Sequence, residues 1–348
     1  MILPHTQTAV LLLMLLGFLC WGSWVNAFKL AGTRFELFYY DFILGTLLAA
    51  GISAYTAGSM GYDGFTVMDD LLNAGKHQVL YAVLAGMLFN FGNMLMLAAV
   101  VVAGMVLAFP VSFGIAIVVS SGLSYLGNPS GHAALLLLGG SLLTAAALID
   151  SVAHRRLAVL RHEALAKAGK ARSTRRPTAA KGLALAVVGG LLIGTAYPLL
   201  AKAQDVNTGL GPYSTGLLLV LGMFVSTMVL NLFFLNLPVE GEPLELAAFF
   251  RVSIFQHLMG ILGGVVWFAG ALAALLVLSP RAGIHPDPAL AYGLLQGGPV
   301  LAAVWGLVVW KELKDADSRT RSMALLMLAL FVLGLTLVAL AQAPTAAA

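Results

Sequence analysis

Ten apolar stretches, each at least about twenty residues long, leave this chain one environment in which to fold. They fall at 8–28, 36–57, 78–101, 104–126, 133–153, 183–203, 213–236, 252–279, 289–310 and 323–342. A hydrocarbon core about 30 Å thick takes about twenty residues of helix to cross. Lipid offers the backbone no hydrogen-bond partners, so each crossing must be a helix or part of a closed barrel. Runs such as Leu183–Ala203 and Met323–Ala341 are continuously apolar, whereas barrel strands are shorter and alternate apolar with polar. The expected fold class is therefore an all-α membrane protein with about ten transmembrane helices. With 60% apolar and only 10% charged residues, an ordinary soluble domain is excluded. Short loops favour one bundle. Helices 3 and 4 are nearly continuous, with Gly104 as the turn signal between them.

The charges are unevenly placed. His154–Lys181 holds nine of the nineteen Lys and Arg residues in twenty-eight positions. Loops after odd-numbered helices, this segment included, hold sixteen of the nineteen, and the other side holds Lys76, Lys202 and Arg281. Basic residues collect on the cytoplasmic side. The expected topology has a cytoplasmic central loop and both termini outside, in the plasma membrane (the inner membrane of a bacterium). Met1–Thr8 has no Lys or Arg, so it lacks the positive region of a cleaved signal peptide and helix 1 is expected to be retained. The sole cysteine, Cys20, lies inside a span. Positive charge confined to loops argues against a nucleic-acid partner. Ala168-Gly-Lys-Ala171 departs from a phosphate loop at two required points, and no metal-ligand spacing occurs among His154 and His162, so no cofactor or metal is expected. Asp69 and Asp70 fall in an exterior loop, Gly58–His77, where a short amphipathic element with a solvated face is the plainest reading.

Five helices, a basic loop and five more helices give residues 1–153, a linker at 154–182 and a second half at 183–348. An odd number of crossings makes the second half enter in the opposite sense, which makes a 5+5 inverted repeat if the halves are homologous. Gly22-Ser23 with Lys29 matches Gly194-Thr195 with Lys202. Gly86–Gly92 on helix 3 matches Gly264–Gly270 on helix 8, and Pro110 on helix 4 matches Pro299 on helix 9.

On these features the chain resembles the drug/metabolite transporter superfamily, whose members have ten helices in a five-plus-five arrangement. Cys20-Trp-Gly-Ser-Trp-Val-Asn-Ala-Phe-Lys29, followed by Phe35-Glu-Leu-Phe-Tyr-Tyr-Asp41, is similar to its ureide permease and glucose/ribose-uptake branch. Gly297–Gly306 through Trp310-Lys-Glu312 is similar to the superfamily's terminal repeat. The resemblance implies proton-coupled movement of a small polar metabolite across the plasma membrane.

Intramembrane polar groups are the candidates for chemistry. Glu36 opens helix 2, where a carboxylate suits the helix dipole, and Asp41 lies about 7.5 Å deeper. A carboxylate there must be paired, neutral or wet, so Asp41 is expected to carry a coupling proton, unless it pairs with Lys29 or Arg34 at the interface. Glu36 and His257 are further candidates for proton coupling, His257 because imidazole titrates near neutral pH. Asn90 and Asn93 share a helix face and would either hydrogen-bond a ureide or sugar or join neighbouring helices. Trp21, Trp24 and Asn26, with Trp267 as a counterpart in the second half, offer stacking faces and N–H donors. Gln296 precedes Gly297-Gly298-Pro299, where an irregular helix would expose carbonyls to a cavity or simply form a packing kink.

The expected function is secondary active transport by alternating access, with a small-molecule substrate and a coupling proton as partners and lipid as solvent. An exporter of amphipathic compounds is the alternative, favoured by an apolar cavity with Asn90 and Asn93 turned to neighbouring helices or lipid. An enzyme or sensor would need a nucleophile–base pair, a metal cluster or a soluble domain, and the sequence offers none.

Overall fold

The structure, a computed structural model, describes residues 1–61, 64–129, 131–167, 180–205 and 208–343. Its helices are α1 (Gln7–Ser23), α2 (Val25–Ala31), α3 (Phe35–Tyr55), α4 (Val67–Asn73), α5 (Lys76–Ala103), α6 (Met105–Gly127) and α7 (Ala133–Lys167). After the basic segment come α8 (Ala180–Ala203), α9 (Pro212–Asn236), a 3₁₀ turn (Leu246–Arg251), α10 (Ile254–Leu278), α11 (Pro288–Leu295), α12 (Gly298–Val308) and α13 (Ser318–Ala341). Ten helical spans are long and apolar enough to cross a membrane, α1–α2 and α11–α12 each forming one. No strand occurs among the described residues. The protein is an all-α, multi-pass membrane protein.

Exposed faces carry large apolar side chains, as in Leu11, Leu12, Leu15, Leu16 and Leu19 of α1, which is how a helix meets lipid. Burial from water does not drive such helices together, so association rests on close packing. Small residues supply it. The absent Cβ of Gly264 on α10 would sit 2.0 Å from the Phe42 carbonyl oxygen of α3, and that of Gly45 on α3 would sit 2.1 Å from the Ile261 oxygen of α10. Gly86 on α5 and Gly222 on α9 do the same across their own crossing, at 2.0 Å from the Leu219 oxygen and 2.2 Å from the Val83 oxygen. The main packing partners are α5 with α8 and α9, α6 with α8, α3 with α9 and α10, α10 with α1 and α2, α12 with α1 and α6, and α7 with α13.

The boundaries have local causes, and two of them fall where the sequence reading put them, at Gly104 and at Gln296–Gly297. The α5–α6 turn falls on Gly104, whose φ of +90° is readily adopted only without a side chain. The first span bends at Trp24, and the ninth is interrupted at Gln296–Gly297, just before Pro299 at the head of α12. Most changed is the basic segment: α7 continues through residue 167 rather than ending at 153, so the expected linker begins as helix. Residues 168–179 of that segment, including most of the rejected phosphate-loop sequence, lie outside the described residues.

The loop between the second and third spans contains α4, begun by a capping box between Thr66 and Asp69. The solvated reading is corrected for Asp70, which is 1% exposed. Its Oδ1 accepts from Arg281 Nη1 at 2.6 Å and its Oδ2 from the Gly211 N–H at 2.8 Å. Arg281 also donates to the Gly209 oxygen at 2.6 Å, tying three loops together on the side away from the basic segment.

Candidate functional site

Helices α1, α5, α6, α8, α10 and α11 surround a cavity of about 430 Å³. It runs from Trp21, Phe89 and Trp267 near mid-bundle to Gln204, Pro280, Pro288 and Gln342 at helix ends away from the basic segment. Its walls are mainly apolar and aromatic, with Ser121, Ser124, Tyr197, Tyr292 and Gln296 as polar points, and no charged side chain lines it among the described residues. Ser121 Oγ and the Tyr292 hydroxyl are 2.8 Å apart. Such walls suit a small solute held by ring stacking and a few hydrogen bonds.

Three of the sequence candidates, Trp21, Trp267 and Gln296, line this cavity. Trp267 is 3% exposed and packs on Phe89, with ring centroids 5.2 Å apart. The Trp21 Nε1–H is buried and has no hydrogen-bond partner among the described residues. Trp24 instead packs between Phe42 and Phe109 at 5.0 and 6.4 Å, away from the lining. Asn26 sits nearer the linker end, where its Oδ1 accepts from Trp310 Nε1 at 2.7 Å.

Asn90 and Asn93 are fully buried and do not line the cavity. The Tyr39 hydroxyl donates to Asn90 Oδ1 at 2.9 Å and accepts from Asn93 Nδ2 at 3.0 Å. Asn90 Nδ2 reaches Ser226 and Thr227 on α9 at 2.8 and 3.0 Å. These groups lock α3, α5 and α9 together. Tyr39→Phe should lower the unfolding free energy by about 1 kcal/mol, the usual worth of an interhelical hydrogen bond in membranes. Thermal unfolding in detergent checks this, and a wild-type melting curve would refute it.

Asp41 is 4% exposed, and its Oδ2 lies 2.8 Å from His257 Nδ1, joining two residues that the sequence named separately. Gly260, one turn beyond His257, makes room for it: a Cβ there would lie 2.4 Å from Asp41 Cβ. Phe249 of the 3₁₀ turn packs edge-on against the imidazole at 4.8 Å. The interface partners considered for Asp41 are engaged elsewhere. Arg34 holds Glu36 at 2.8 Å, and Lys29 holds Glu312 at 2.7 Å. Glu36 is 1% exposed and committed to Arg34 near the helix start. A proton held by so close an acid–imidazole pair belongs to the pair rather than to either residue.

Sequence reasoning missed Glu312 as a site. Its Oε1 accepts from Lys29 Nζ and from the Met105 N–H at 3.1 Å, and its Oε2 from the Val106 N–H at 2.9 Å. One carboxylate thus caps α6 and neutralises a cation on α2, where Gly104 and Gly306 leave room for it. Arg161 of α7 donates to the Glu312 backbone oxygen at 2.7 Å, and Arg156 pairs with Asp317 at the head of α13. Hydrogen bonding from Arg156, then from Thr320, holds the Asp317 carboxyl well below the usual carboxylate range. The bundle is polar and tied together at the linker end and hollow at the other.

No family model matches the chain. Among curated proteins, Ureide permease 4 of Arabidopsis thaliana is 24% identical over 381 aligned positions, covering 92% of this chain and 93% of that protein. A solved crystal structure aligns with 95% of this chain and 96% of its own length, at 15% identity and a TM-score of 0.46.

The other omissions, Tyr197, Tyr292, Ser121 and Gln204, are ordinary residues of apolar helices. Only the convergence of α6, α8 and α11 distinguishes them. The sequence signal that was present for Glu312 was its place directly after Trp310-Lys311 in the segment similar to the terminal repeat.

Proposed function

We propose that this chain is a secondary active transporter of a small, uncharged polar metabolite, a sugar or a purine-derived ureide. The observation that carries this reading is a cavity with aromatic, amide and hydroxyl walls that reaches the helix ends on one side of the bundle, while the Lys29–Glu312 pair lies at the other end. The similarity to a protein named as a ureide permease supports the same substrate class. In this reading the chain belongs to the drug/metabolite transporter superfamily, the basic segment is cytoplasmic and both termini lie outside. The cavity then faces outward, and import is the favoured direction.

The packing supports a repeat of residues 1–153 and 183–348 about the 154–182 segment. Shifting each span by five turns the α5–α8 contact into α10–α1, the α3–α10 contact into α9–α5, and the α6–α8 contact into the α11–α12 span on α1. The glycine positions follow the same operation. Gly86 faces α9 and Gly92 faces α8, while Gly264 faces α3 and Gly270 faces α1. Two oppositely inserted halves rocking around one cavity would open it to each side in turn. The inward-open state would require Lys29, Met105 and Val106 to release Glu312.

Asp41 with His257 is the proposed proton-coupling pair, with Glu36 as a structural neighbour held by Arg34. Trp21, Trp267 and Gln296 are the proposed solute contacts, whereas Trp24, Asn26, Asn90 and Asn93 hold helices together outside the cavity lining. Asn90 and Asn93 facing neighbouring helices fit the exporter alternative. Eight polar side chains around the cavity, from Ser120 to Gln342, favour the polar-solute reading.

Proteoliposomes loaded at one pH and diluted into another test this directly with radiolabelled glucose, ribose, allantoin and uracil. One of these should accumulate above equilibrium under an inward proton gradient and stop when the gradient is collapsed. Trp267→Ala should weaken uptake about tenfold or more through a raised KM, the loss expected when an aromatic stacking face is removed from a solute site. Asp41→Asn should retain exchange of solute but lose gradient-driven accumulation. Full accumulation by Asp41→Asn would overturn the coupling role, and extrusion of all four solutes with uptake of none would overturn import.

A further inference from the structure

A second pair of titratable side chains lies far from α3 and α10. Asp150 and His154 stand one turn apart on α7, on the same face of the helix, and are 2% and 7% exposed. Asp150 Oδ1 and His154 Nδ1 are buried with no hydrogen-bond partner among the described residues. Both side chains line a cavity of about 10 Å³, whose other walls include Leu107 and Val111 of α6 and Gly182 and Ala186 of α8. That is room for about one water molecule.

An ionised carboxylate facing such walls pays a large desolvation penalty, whereas a protonated one, bridged to imidazole through one water, does not. We propose that Asp150 and His154 form a separate proton-binding site, occupied while α8 packs on α6 and α7 and emptied to linker-side water when α8 moves away. One wall belongs to the second half and two to the first, so the arrangement of the halves sets access to the site. It shares no helix with the Asp41–His257 pair.

Among the described residues the nearby charges leave this site without a counter-ion. Arg161, farther along α7, donates to the Glu312 backbone oxygen. Arg156 is held by Asp317 at the head of α13, and Lys181 at the head of α8 donates to the Val239 oxygen. The lining residues of α5 and α6, Ala103, Leu107, Ala108 and Val111, bring no titratable group. Uptake of one proton by the Asp150–His154 pair therefore neutralises the site among the described residues.

Infrared titration of purified full-length protein, from about pH 5 to about pH 9, the range over which buried carboxyl groups titrate, tests occupancy. A protonated-carboxyl band should persist in Asp41→Asn, vanish in Asp150→Asn and shift its midpoint in His154→Gln. Access is read by thiol labelling of Ala186→Cys in a Cys20→Ala background, comparing protein with and without Asp150→Asn at each pH so that thiol chemistry cancels. Near pH 8, protein retaining Asp150 should label about tenfold faster, the shift of one pKa unit expressed as an opening equilibrium. Near pH 6 the two should label alike. An unchanged carboxyl band in Asp150→Asn, or equal labelling at both pH values, overturns the site. Asn is nearly isosteric with protonated Asp, so Asp150→Asn should fold. Neither measurement uses a solute, so failure of the uptake experiment leaves both readable.

Discussion

Glu312→Ala should destabilise the protein by about 3 kcal/mol, the low end for breaking a buried ion pair. The carboxylate is 11% exposed and its Lys29 partner 25%, so solvent screens part of the charge interaction. The rest of the effect comes from Met105 and Val106, whose N–H groups lose their acceptors at the start of α6. A second substitution separates the two contributions. Adding Lys29→Met should recover only part of the loss, because it removes the stranded cation but leaves both N–H groups unsatisfied. Chemical unfolding in detergent measures both variants, and complete recovery by Lys29→Met would show that α6 capping contributes nothing. If alternating access operates, Glu312→Ala should also make the linker-side ends of α2 and α6 label faster from that side.

Comparable losses should follow from Gly264→Ala. A methyl group placed 2.0 Å from the Phe42 carbonyl oxygen and 2.6 Å from the Thr46 nitrogen meets backbone, which cannot rotate aside. Separation of α3 from α10 by even a few tenths of an ångström would disturb the Asp41–His257 approach one turn away. Overpacking of this kind costs about 3 kcal/mol. Gly51→Ala on α3 supplies the control, since a Cβ there meets nothing within 4 Å. It should be neutral or stabilise the helix by up to about 1 kcal/mol. Similar melting temperatures for the two variants would refute the packing account of the α3–α10 crossing.

The spans were legible because hydropathy and backbone satisfaction act on contiguous residues. Gly104 marked its turn for the same local reason: a backbone there needs a conformation that side chains resist. The ends were less legible where tertiary contacts decide them. His154 to Lys167 looks like a basic loop by composition, yet Leu157 of this stretch is buried, and Arg156 and Arg161 reach the α12–α13 connection, which continues α7 past the membrane span. At the candidate site, Asp41 and His257 were each visible as costly intramembrane groups. Their contact was not, because 216 positions separate them and no local pattern records the α3–α10 crossing. Asn90 and Asn93 show the converse. Their spacing identified a shared polar face, but only Tyr39, Ser226 and Thr227 reveal that the face meets helices.

The uncharged lining of the cavity has an electrical consequence. A neutral solute moved inward with one proton carries one positive charge across the membrane per cycle. Voltage would then act on the cycle even with equal pH on both sides, contributing about 2.3 kcal/mol for every 100 mV. If the solute is neutral, that current would report the proton alone, one elementary charge for each molecule delivered.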